Sequence, residues 1–307
     1  MKINRLLYRS LTIITLCFSK QAEIRESWAA LLSTNFEQIH ATHHINNLIR
    51  QNAIPSSKKE QDLLDRIGIK VLDEKLLVMM PEQMDEIYQT THFNIHYDTD
   101  GSSGSVSSND VNNNSVPDYV ENMGLIFEDV YHFFKDSMGY DITFLNSQNV
   151  GNNKYDIFID NLPTNYFAIT YTTSFINQAS TSCGSYIKMR NNYNGAAFQN
   201  ITELENIKIT AAHEFFHAIQ FSYNCYERFW LMEATAVWSE DEIYNEINDH
   251  YRYMPSWFQN SAKPIDDESS HMYGSFIFFQ YIDEHLGGHE TINNICCLLY
   301  TSDAADE

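Results

Sequence analysis

The chain has 307 residues, 43% of them hydrophobic and 14% aromatic, which is enough apolar material for one large domain or two small ones and argues against disorder. Its 19 basic and 41 acidic residues give a net charge of −22. That balance argues against nucleic acid and anionic membranes as main partners, because phosphate binding needs surplus lysine and arginine.

The first nineteen residues have the layout of an export signal. Lys2, Arg5 and Arg9 form a basic head, Leu11 to Phe18 a short apolar core, and Cys17 and Ser19 stand at −3 and −1 of a cut after Ser19. The apolar stretch is too short to span a bilayer, so no stable membrane insertion is expected. Residues 20–92 read as mostly helical, with apolar spacing near 3.6 in Ile24 to Ile39 and Gln61 to Ile67 and a break at Pro55-Ser56-Ser57. This segment is either a prosegment or a packed helical preface. It contains no cysteine that could hold a zymogen closed through a metal.

Phe93 to Tyr97 alternates like a strand, and the composition then shifts to Asp, Gly, Ser and Asn over residues 98–115. Within and beyond this loop, residues 110–121 match the spacing of a twelve-residue calcium loop. Asp110, Asn112, Asn114, Asp118 and Glu121 offer side-chain oxygens at positions 1, 3, 5, 9 and 12, and Val116 a backbone carbonyl at position 7. Ser115 stands where glycine normally makes the sharp turn, so it must accept a positive φ. A solvated Asn/Asp turn is the plainer alternative.

Helical spacing returns over Val120 to Phe134. Lys154 to Leu162 and Ser185 to Met189 read as strands, the second as an edge that could pair with an extended substrate. Helices are expected at about 203–222, 229–248 and 271–286. Strands followed by helices predict an α+β fold with a mixed sheet and then the helices that carry the site. Cys183 and Cys225 are either bridged or free buried thiols. Residues 297–307 resemble a translated sequencing-adapter fragment and are expected to be a non-native tail.

The most informative run is His213-Glu214-Phe215-Phe216-His217, inside an apolar stretch without Gly or Pro. On a helix, positions i and i+4 share a face one turn apart, so His213 and His217 can grip one Zn²⁺ while Glu214 serves as general base. The plainer alternative is an amphipathic helix with a solvated His-Glu-His stripe. A catalytic zinc site wants a third protein ligand and one open position. Gln220 and Tyr223 exclude the metzincin pattern. Downstream, Glu233 is a lone acid in the apolar run Trp230 to Trp238 and is the favoured ligand. Glu240 and Asp241, at the start of a polar stretch, are close competitors. His271 and Tyr273 are candidates for an oxyanion donor, with core packing as the alternative for each.

The run Ala212 to Gln220, followed by Trp230-x-x-Glu233-x-x-Ala236-x-Trp238, resembles the gluzincin metallopeptidases of the thermolysin-like clan. Within that clan it is most similar to a poorly characterised family of secreted bacterial proteins assigned as metalloproteases. The likeness spans about residues 90–295 and extends to Val116-Pro117-Asp118-Tyr119, the strand from Lys154 to Ile159, and His271-x-Tyr273-Gly274. The link from His217 to Glu233 is a few residues shorter than in the best-known gluzincins. The Gly-x-Met-Glu-Asn signature of the related aminopeptidases is absent, which favours an endopeptidase.

The resemblance implies a metallopeptidase domain at residues 93–296 and a secreted or periplasmic, calcium-stabilised zinc endopeptidase acting on peptides or proteins. The alternatives are a non-catalytic binding or adhesion protein that keeps the metal-bound fold, and a purely structural calcium-binding domain with an accidental zinc pattern.

Overall fold

The computed structural model describes residues 20–33, 40–82, 84–100, 105–142, 153–175 and 181–301. The expected export signal and residues 302–307 of the suspect tail lie outside them, as does the end of the helix expected over Ile24 to Ile39. Residues 297–301 continue the backbone of the last helix.

Helix α1 (residues 20–31) is followed by α2 (Ala41–Gln51) and α3 (Lys58–Ile67). Ser57 opens α3 in a reciprocal capping box with Glu60, directly after the expected break. The expectation of a helical segment as far as residue 92 fails beyond Ile67. Gly68, at φ +87°, ends α3. The chain then forms a hairpin of β1 (Ile69–Leu72) and β2 (Lys75–Val78), turned by Asp73 and Glu74 at φ +50° and +58°. Four-residue apolar runs carry too little periodicity to tell strand from helix, and pairing decided between them.

Strand β3 (Glu86–Gln89) pairs antiparallel with β4 (Phe93–Tyr97), so a hairpin crosses residue 93, where the peptidase domain was expected to begin. Strands β5 (Tyr155–Asp160), β6 (Ala168–Phe175) and β7 (Cys183–Arg190) complete a five-stranded mixed sheet in the order β3-β4-β5-β7-β6. β4, β5 and β7 run parallel, whereas β6 returns antiparallel to β7. The segment Ser185 to Met189 is therefore an interior strand, and the edges are β3 and β6, neither of which periodicity had singled out.

The two faces of the sheet alternate residue by residue. Ile157, Ile159, Ile187 and Met189 face the larger core, under α4 (Asp118–His132) and α5 (Glu203–Asn224). Phe158, Tyr186, Ile169 and Tyr171 face a second core with Ala41, Ile45 and Leu48 of α2 and Leu63, Leu64 and Ile67 of α3. Helices α6 (Phe229–Ile243), α7 (Met254–Gln259), α8 (His271–Gly274), α9 (Phe276–His285) and α10 (His289–Thr301) follow. The single helix expected at 271–286 is thus two. Gly274 lies against Trp257 so closely that an added Cβ would sit 2.6 Å from the indole. Cys183 and Cys225 form a disulfide that ties β7 to the end of α5. Together these elements make an α+β fold. Among the described residues no helix is long and apolar enough to cross a membrane.

Candidate functional site

Helix α5 starts at a Thr202–Glu205 capping box and is buried on nearly all sides from Asn206 to Ser222. A helix apolar all round belongs in a core, yet this one carries two imidazoles and a carboxylate there. His213 and His217 are each 1% exposed, and Glu214 and Glu233 are fully buried.

Helix α6 crosses α5 and brings Glu233 to the histidine pair. The His213 and His217 Nε2 atoms are 3.0 Å apart, and they lie 3.3 and 3.2 Å from the two Glu233 oxygens. Ligands about 2.0–2.1 Å from a tetrahedral zinc are about 3.3 Å from one another, so the three groups have the spacing of one coordination sphere. Neither Glu233 oxygen makes a hydrogen bond of good geometry, although both are buried with imidazole nitrogens of His43, His213 and His217 at 3.2–3.3 Å, and a buried carboxylate facing imidazole nitrogens calls for a shared cation. The residues present therefore fit a zinc ion.

The supports behind the ligands fit as well. His213 Nδ1 meets Glu240 Oε1 at 2.7 Å, and His217 Nδ1 meets Gln220 Oε1 at 2.8 Å. Each ring is thereby oriented with Nε2 toward the shared centre. Gln220 in turn donates to the Met232 carbonyl and the Thr235 hydroxyl of α6, which locks the two helices together. Glu240 thus stands behind His213 rather than beside Glu233, and Asp241 faces His250. Burial alone would lower the pKa of His213, but Glu233 and Glu240 together push it up to about 10. Burial would raise that of Glu233, but His217, His213 and His43 hold it well below the usual carboxylate range.

Glu214 Oε2 accepts from the Thr170 hydroxyl on β6 at 2.6 Å and from the Thr42 hydroxyl on α2 at 2.7 Å. Its other oxygen, Oε1, is buried without a hydrogen-bond partner. One side of the carboxylate is pinned and the other is left available as an acceptor.

Of the two donor candidates, the structure brings only Tyr273 here. Its hydroxyl lies 3.1 Å from His43 Nδ1, itself 3.3 Å from Glu233 Oε1. Burial, and then the Glu233 charge, raise the Tyr273 pKa well above its usual value, so the hydroxyl keeps its proton. His271 instead stacks flat on Trp257, with ring centroids 5.6 Å apart.

Sequence reasoning missed Thr42, His43, Thr170 and His40, whose ring packs 4.2 Å from that of His213. Three histidines within residues 40–44 were the available signal for α2. Nothing in β6 marks Thr170.

The loop at 110–121 folds around its own side chains. Asp110 accepts from the backbone N–H of Asn114 and Ser115, Asn114 Oδ1 from Val116 N–H, and Asp118 from Val111 N–H. Glu121 accepts from the amides of Asn112 and Asn114. Ser115 has φ +72°, as its place in the loop required. A further grouping, His92, Glu128 and His132, is partly exposed, and there His92 already pairs with Glu128 at 2.6 Å.

An α+β chain with a buried His₂Glu cluster backed by its own orienting partners defines a recognisable type of site. The chain belongs to a family of unknown function, DUF6055, whose profile matches residues 57–297. No curated protein and no solved structure is detectably similar to it.

Proposed function

We propose that this protein is an exported zinc-dependent endopeptidase of gluzincin type, stabilised by calcium. The observation that carries this reading is the Glu214 carboxylate, pinned at Oε2 and open at Oε1, on the same helix as the two imidazoles that face Glu233. Zinc held by His213, His217 and Glu233 would supply Lewis acidity and make water acidic enough to ionise near neutral pH. Glu214 Oε1 takes a proton from the attacking water and later delivers it to the leaving amine. Thr170 keeps the carboxylate from rotating away. Glu240 and Gln220 hold the imidazoles in the metal-binding tautomer. The protonated Tyr273 hydroxyl donates to the oxyanion. An extended peptide backbone would pair on the β6 edge, where Thr42 and Asn46 hold the Thr170 backbone groups while α2 is docked.

Calcium would bind in the loop through Asp110, Asn112, Asn114, the Val116 carbonyl, Asp118 and Glu121, and would fix the start of α4. The Cys183–Cys225 disulfide supports an oxidising location.

One observation favours a second reading, a non-catalytic binding protein with a structural zinc. The gap bounded by Thr42, His43, His217, Phe229 and Glu233 is too narrow for a water molecule, so no substrate reaches the three ligands in this arrangement. A structural site, however, has no use for a pinned general base. The deciding experiment combines zinc stoichiometry, a zinc-edge anomalous map, and cleavage of a quenched-peptide library by the intact chain and after limited proteolysis. The reading requires one zinc on the three named side chains and cleavage abolished by chelator and by Glu214→Gln. Stoichiometric zinc without cleavage in either form establishes the binding protein instead. Calcium without zinc after gentle purification leaves only the structural calcium domain.

A further inference from the structure

Helix α2 reaches every working part of the proposed site at once. Thr42 donates to the base Glu214 at 2.7 Å. His43 contacts the Tyr273 hydroxyl at 3.1 Å and Glu233 at 3.3 Å, and it walls the gap that admits no water. On the edge strand, Thr170 N–H donates to the Thr42 hydroxyl at 2.9 Å, and the Thr170 carbonyl accepts from the Asn46 amide at 3.2 Å. An edge strand offers those backbone groups to an incoming strand. Here side chains of α2 already hold them, so a substrate backbone cannot pair at Thr170 while α2 is docked.

We infer that helix α2 with its flanking residues, 40–52, is a built-in inhibitor, a latch seated on the active site by Thr42, His43 and Asn46, and that cutting the connection at 52–57 releases it. This rests on the peptidase reading above. The latch is well anchored. Ala41, Ile45 and Leu48 are fully buried. Arg50 donates to the carbonyls of Cys225 and Glu227, with its guanidinium 4.3 Å from the Phe229 ring. The connection itself is accessible: Ile54 is 41% exposed, and the disulfide joins residues on the far side of it. The family match begins at residue 57, at the end of this connection.

The mechanism of closure differs from a cysteine-to-zinc latch, because residues 20–182 contain no cysteine. Closure is by steric filling and by hydrogen bonds to the base, the donor and the strand edge.

The test uses the full chain with a site-specific protease sequence inserted after Ile54, loaded with Co²⁺ so that the metal environment can be read from its visible spectrum. Acetohydroxamate, a small chelating ligand that needs open space at the metal, is titrated before and after cutting. The inference expects at least tenfold tighter hydroxamate binding, a changed cobalt spectrum and at least tenfold faster peptide cleavage after the cut. His43→Ala should reproduce the tighter binding without any cut. An intact chain that binds cobalt and takes hydroxamate as tightly as the cut chain overturns the latch and leaves the peptidase reading standing. A chain that binds neither cobalt nor zinc at His213, His217 and Glu233 removes both.

Discussion

The Thr42 hydroxyl donates to Glu214 Oε2 at 2.7 Å across 172 positions of sequence. This contact joins the segment before the family-wide part of the chain to the candidate general base inside it. The carboxylate is fully buried, and its two hydroxyl donors come from different elements. The geometry of the base is therefore a property of the assembled fold and not of α5 alone.

Removing one donor should have a cost that is measurable by denaturant unfolding. Thr170→Val leaves Glu214 Oε2 with a single hydroxyl, and an under-satisfied buried acceptor of this kind costs about 1–3 kcal/mol. Zinc content should be unchanged, because the Thr170 hydroxyl touches none of the proposed metal ligands. A loss of zinc together with stability would place Thr170 in the metal site instead.

The metal-free and zinc-bound proteins should respond oppositely to pH. The His213 pKa is raised from 6.5 to about 10 in the metal-free fold by Glu233 and Glu240 acting against burial. The folded value exceeds the unfolded one, so this group's contribution to stability is complete below about pH 6.5 and is lost as pH rises through about 10. Zinc must displace that proton, so its binding strengthens with pH over the same window. Calorimetry at pH 8 in buffers of different ionisation enthalpy should show about one proton released per zinc. Glu240→Gln should weaken zinc binding by about 10–100-fold.

Breaking the disulfide should destabilise the fold through the unfolded state. Cys183 and Cys225 are 42 residues apart, and closing a loop of that length removes chain entropy worth roughly 4 kcal/mol. Cys183→Ser with Cys225→Ser should lower the urea midpoint accordingly, with a slope that is somewhat steeper because the unfolded chain is no longer cross-linked. A midpoint equal to that of the oxidised wild type would show that the bridge contributes nothing.

The proposed calcium loop has two residues at positive φ, Asn113 and Ser115, and can be tested at Ser115, where glycine is usual. Ser115 adopts φ +72°, a conformation that costs an L-residue about 1 kcal/mol relative to glycine. Ser115→Gly should raise thermal stability in chelator by about 0.5–1 kcal/mol. Calcium should raise Tm in a concentration-dependent way for wild type but not for Asp110→Ala with Glu121→Gln. A Tm indifferent to calcium in wild type would reduce the loop to an Asn/Asp turn.

Local spacing made part of this protein legible. The 3.6-residue repeat, the i, i+4 imidazoles and the fixed offsets of the Asx-rich loop all act within a turn or two of chain, so His213, Glu214 and His217, the strand at Phe93–Tyr97 and the positive φ of Ser115 could be read directly. Interactions across long separations could not. Whether Glu233 or Glu240 faces the imidazoles depends on how α6 crosses α5. Both acids lie on the same helix face, seven residues apart, and only packing places one in front of His213 and the other behind it. The edge position of β6, the split at Gly274 and the turn from helix to hairpin after Gly68 were likewise settled by pairing and contact. So was the arrival of Thr42 and His43 at the site, because the histidines of residues 40–44 mark α2 as unusual without saying which distant groups it will cover. Sequence alone determined which side chains share one turn of a helix. Tertiary structure decided which distant groups meet them, because that choice is made by burial and by satisfying buried polar atoms over the whole fold.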